Sequence, residues 1–110
     1  MNNNSRRKLK KVKRLTEQLL KKYKSHFEVS FMSDRKYYGK CEHSNKTIYL
    51  SDWFVLSASD EDILDVILHE IGHAILPENV IAHGEEWKRL GRSMGYGTMS
   101  CKILSHKTCH

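Results

Sequence analysis

The chain is organised around the segment SDEDILDVILHEIGHAILP, residues 59–77. Ser59 is a helix-capping residue, and Asp60, Glu61 and Asp62 behind it suit the positive end of a helix. Asp62 stands where a full capping box would carry Glu or Gln. Ile63, Leu64, Ile67, Leu68, Ile71 and Ile75 recur at helical spacing. The pattern predicts an amphipathic helix that Pro77 stops near Leu76. Inside it lies an HExxH motif, His69-Glu70-Ile71-Gly72-His73. Positions i and i+4 share one helix face, so both imidazoles can hold one Zn²⁺ at about 2.0–2.1 Å. Glu70 then reaches a water on the metal, whose pKa zinc lowers toward about 7, and accepts its proton. The competing reading is two histidines four apart by chance. The helical context, the apolar flanks Leu68, Ile71, Ala74 and Ile75, and a third histidine downstream all favour the metal.

A catalytic zinc needs a third protein ligand and an open fourth position. The extended motif HExxHxxGxxH would require Gly at 76 and His at 79, where the chain has Leu76 and Asn79. Glu78, Glu85 and Glu86 come too soon for a glutamate ligand on a later helix. His83 is the candidate. Gly84 beside it allows a close backbone approach, and Glu85 and Glu86 suit the start of a last helix over about 84–94. Trp87 and Leu90 would pin that helix on the active-site helix.

The rest of the chain is one small domain. It has 110 residues, 39% hydrophobic and 9% aromatic, with one Pro and six Gly, a composition that excludes disordered and collagen-like classes. No apolar run is long enough for a membrane span, and the basic N-terminus lacks a signal-peptide core; a cytoplasmic protein is expected. Three cysteines, Cys41, Cys101 and Cys109, make no CxxC pair. The net charge of +6 is unevenly spread. Residues 1–24 carry ten Lys/Arg and one acid, while 25–110 carry nine and twelve. From Arg6 the basic segment reads as a helix with an apolar stripe of Leu9, Val12, Leu15, Leu19, Leu20 and Tyr23, after a frayed 1–5. Its charges have two readings, a solvated face or an arm for a polyanion such as DNA.

Between the two helices the period changes. Phe27, Val29 and Phe31 alternate with polar residues, 36–42 reads as a second strand, and 46–50 as a third that forms a hairpin with the second. Trp53 to Leu56 reads as a buried connector. The tail, 98–110, carries a loose grouping of Cys101, His106, Cys109 and His110 that fits no standard finger. His26, His43, His106 and His110 are assigned to the surface. Tyr96 and His106 are both candidates for stabilising an oxyanion, and nothing in the sequence selects between them.

The run LHEIGHAILPENVIAHGEEWKRLGRSMGY, 68–96, resembles the SprT-like metallopeptidases, which include the Spartan DNA–protein-crosslink proteases. Arg35, Gly39 and the strand Ile48-Tyr49-Leu50-Ser51 fit the same pattern, and the resemblance spans about 27–97. It implies that His69, His73 and His83 bind one zinc per chain and that Glu70 is the general base. It also implies an α+β, minimal zincin-like fold: an N-terminal helix, a small three-stranded antiparallel sheet, the HExxH helix and a following helix with the third ligand. The paired cysteines of a zinc ribbon found in many relatives are missing.

The expected function is therefore a zinc-dependent endopeptidase acting on a protein or peptide substrate, with DNA-associated proteins as one target class. The alternative is a DNA-binding accessory module whose zinc site is structural or vestigial; a metal-dependent nuclease is a third option. The sequence carries no signal for the oligomeric state.

Overall fold

The computed structural model describes residues 2–76 and Arg89. Helix α1 runs Asn3–Lys22, earlier than the sequence suggests, because Asn2 caps it: its Oδ1 accepts from Ser5 N at 2.8 Å. The helix turns Val12, Thr16 and Leu20 inward, with Leu9, Leu19 and Tyr23 half-buried against the core. Leu15, expected on that stripe, is exposed, and Thr16 is buried in its stead. The Thr16 hydroxyl is satisfied locally by donating to the Val12 carbonyl at 2.8 Å, which lets a polar residue occupy the inner face. The helix ends with Lys24 in the left-handed region at φ 58°. There Ser25 N bonds to Leu20 O and Lys24 N to Lys21 O, closing the orphan carbonyls.

Three strands follow, β1 (Glu28–Met32), β2 (Gly39–Glu42) and β3 (Thr47–Ser51). Their order is β1-β3-β2. β2 and β3 form the expected antiparallel hairpin, with Cys41 opposite Ile48. β1, however, pairs with β3 in parallel, Val29 beside Ile48 and Phe31 beside Leu50. The sheet is mixed, and the antiparallel expectation is corrected on this pair. The direction follows from the chain path: 33–38 leaves the Met32 end of β1 and enters β2 running back, and the turn after Glu42 reverses the chain again into β3. Thr47, Ile48, Leu50 and Ser51 are all buried, which a central strand requires and an edge strand does not.

Residues 33–38 carry the chain past the end of β3, from one edge of the sheet to the other. They are fastened there by hydrogen bonds. The Asp34 carbonyl accepts from Ser51 Oγ and from Trp53 Nε1, both at 3.0 Å, and Ser51 N donates to Tyr38 O at 2.8 Å. Tyr38 stacks on Phe54, and the Arg35 guanidinium lies over the Trp53 ring at 5.6 Å.

The expected connector is a short helix, α2 (Asp52–Ser57), that buries Phe54 and Val55. Helix α3 runs Asp60–Ile75, capped by Ser59, whose Oγ accepts from Asp62 N at 3.2 Å. Leu76 is extended, as the residue before a proline must be. α1 packs on β1 and α2, and α3 on β2 and β3. α3 is less amphipathic than its sequence suggests: every residue from Asp65 to Gly72 is buried. A helix buried on all sides is a core helix. The expected last helix over 84–94 and the tail 98–110 lie outside the described residues. No described helix is long and apolar enough to cross a membrane.

Candidate metal centre

α3 brings His69 and His73 together as the motif requires. Their Nε2 atoms stand 3.2 Å apart, with ring centroids 4.8 Å apart and planes at 73°. Two nitrogen ligands of a tetrahedral zinc, each at about 2.0–2.1 Å, stand about 3.3 Å from one another. The observed pair matches that edge. His69 is fully buried, while His73, one turn further on, is half-exposed.

Glu70 is fully buried, and neither carboxylate oxygen has a hydrogen-bond partner among the described residues. Burial of this kind holds its carboxyl well above the usual carboxylate range. An unpartnered carboxylate in the interior is among the costliest groups a fold can keep, and a nearby cation is what offsets it. The orphaned acid and the paired imidazoles thus fit a divalent metal with a nitrogen-rich donor set. Asp65, one turn before His69, is a second buried acid, and its Oδ2 also lacks a partner among the described residues.

The walls of the site come from β2 and its turn. Gly39 is buried against α3, where the absence of a side chain lets the strand approach Glu70. Two residues on, burial pushes the Cys41 thiol up to about 12, and the Glu70 charge adds to the shift. His43, assigned to the surface by sequence, is half-buried, and its Nε2 lies 2.9 Å from the carbonyl oxygen of His73. No local pattern joins residues 43 and 73; only the fold of the hairpin onto α3 does.

Among the described residues no third His, Cys, Asp or Glu completes a metal-holding group. The third ligand named from sequence, His83, lies outside them, as do Glu78, Glu85, Glu86, Tyr96, Cys101, His106, Cys109 and His110.

The sequence model of the SprT-like family matches residues 9–110. No curated protein matches the sequence. Among solved structures, the crystal structure of the metallopeptidase zymogen of Methanocaldococcus jannaschii jannalysin is similar at a TM-score of 0.68. The likeness covers 86% of this chain and 89% of that one at 18% identity, and it shows a shared fold.

Proposed function

The chain belongs to the SprT-like family, and on that premise we propose that it is a zinc-dependent endopeptidase. The observation that carries this reading is the fully buried, unpartnered Glu70 carboxylate next to two imidazoles 3.2 Å apart. His69 and His73 would hold the metal, with His83 as the third ligand and one zinc per chain. Zinc held there supplies Lewis acidity, polarising the scissile carbonyl and lowering the pKa of water at the site toward about 7. Glu70 acts as general base, taking the proton of the attacking water and delivering it to the leaving amine nitrogen. Burial suits the residue to this task. A carboxylate whose pKa is raised by burial is a stronger base than one in water, and a dry site strengthens its interactions.

The substrates are protein segments extended enough to enter the site. DNA-associated proteins are a target class consistent with α1, on which Arg6, Arg7, Lys10, Lys11, Lys13 and Arg14 are exposed. A polycationic helix of this kind binds phosphates with strong salt dependence. The same observation supports the second reading, a DNA-binding accessory module in the cytoplasm whose zinc site is structural or vestigial.

One experiment separates the two. Glu70→Gln should abolish cleavage of an unfolded protein such as casein while zinc stays at one per chain. Cleavage by that variant at the native rate refutes the base assignment. A native protein that binds zinc and DNA but cuts nothing supports the accessory module.

A further inference from the structure

We infer that His43 is a positioning residue for the metal centre: its ring holds the helix end that carries His73, in place of a backbone donor that Pro77 does not have. The inference rests on the zinc-peptidase reading of the site and adds a residue to it.

The last carbonyls of any helix lack intrahelical donors. In α3, Leu76 N still reaches Gly72 O at 3.2 Å. The next carbonyl, that of His73, would take the N–H of residue 77. Residue 77 is proline and has no N–H to give. The His43 Nε2, 2.9 Å away, fills that place. Because a carbonyl oxygen only accepts, Nε2 must carry the proton and donate. The bond therefore fixes the tautomer of His43 as well as the position of the helix end.

The ring is itself held. Phe27 meets it edge-on, with centroids 5.3 Å apart and planes at 82°. His43 also opens the turn between β2 and β3, where its carbonyl accepts from Lys46 N at 3.3 Å. So the entry to β1 and the end of α3 meet on the imidazole, and the hairpin turn is closed on the backbone of the same residue.

The two motif histidines differ in their need for such a brace. His69 is fully buried in the middle of α3. His73 is half-exposed in the last turn, where helices fray. Tying its carbonyl to the hairpin keeps its Nε2 at the 3.2 Å spacing from His69. Groups that orient a metal ligand without touching the metal commonly govern affinity by about 10- to 100-fold.

The test is zinc affinity of the full chain, by competition with a chromogenic chelator below the onset of unfolding. His43→Phe keeps the ring against Phe27 and removes the donor; its affinity should fall about tenfold. His43→Gln places an amide N–H near the position of Nε2 and should restore affinity to within about threefold of native. If the Phe variant does not fold, His43→Asn, whose amide falls short of the carbonyl, takes its place. Native affinity in the donor-less variant overturns the inference, and so does a Gln variant as weak as the Phe variant. If the native protein binds no zinc, or His73→Ala binds it unchanged, the reading of the centre fails instead. The role of His43 then rests on amide exchange in the last turn of metal-free α3. Faster exchange in His43→Phe supports it, and unchanged exchange overturns it.

Discussion

Gly39 and Glu70 stand back to back: a Cβ at position 39 would lie 3.2 Å from Glu70 Cγ. It would also lie 3.1 Å from Val66 Cγ1 and 3.2 Å from the Tyr49 carbonyl oxygen. Each is tighter than an ordinary van der Waals contact, and one of the three neighbours is backbone. The strand that walls the site can approach the proposed base only because residue 39 has no side chain.

Gly39→Ala is accordingly expected to push β2 and α3 apart by tenths of an ångström. Overpacking of this kind costs about 1–3 kcal/mol. Urea denaturation should register that loss. The turnover number should drop more than zinc binding, because Glu70 is displaced and the ligand pair is not. An alanine variant with native turnover would show that the close approach has no bearing on the base.

Glu70 makes the metal-free protein pH-sensitive in a defined direction. Its carboxyl is held above the ordinary value of 4.5 by burial, so the folded chain keeps a proton that the unfolded chain releases. The stability tied to that proton is fully present below pH 4.5 and is lost as pH rises through the elevated value. Over that window the slope is about −1.4 kcal/mol per pH unit. Urea titrations of zinc-free protein at pH 5, 6 and 7 should show native stability falling relative to Glu70→Gln, which cannot titrate. Parallel stability profiles for the two proteins would rule the effect out.

Cys41 should be nearly inert while the protein is folded. Burial first, and the Glu70 charge second, move its thiol from 9.0 to about 12. At pH 8 that leaves about a thousandfold less thiolate, the form that reacts. In a Cys101→Ser/Cys109→Ser background, iodoacetamide should label Cys41 about a thousandfold more slowly in buffer than in urea. Labelling at equal rates would mean that the strand carrying Cys41 opens freely.

Much of the site is legible in the sequence because it is local. The i, i+4 spacing of His69 and His73, the Ser59 cap and the stop before Pro77 are all written within one helix, and the helix forms as the residues dictate. What the sequence conceals is long-range. Strand direction has no local signature, so the parallel pairing of Val29 with Ile48 reads no differently from an antiparallel one. Thr47 and Ser51 are polar, yet both are buried because β3 is central. The exchange of Leu15 for Thr16 on the inner face of α1 depends on a hydroxyl that finds its own backbone acceptor. The isolation of the Glu70 carboxylate depends on what packs around it, and periodicity cannot supply that. The brace on His73 comes from a residue thirty positions away.

The placement of β3 between the other two strands also bears on the order in which the chain is made. β1 leaves the ribosome first, but in the described sheet β3 is its only neighbour, and β3 is the last of the three to emerge. Until then β1 carries its amides and carbonyls without a mate. The β2–β3 hairpin, closed by a four-residue turn, can zip as soon as it is synthesised. During synthesis, then, the older strand must wait to be docked by the younger one, and residues 33–38 are the tether that keeps it within reach.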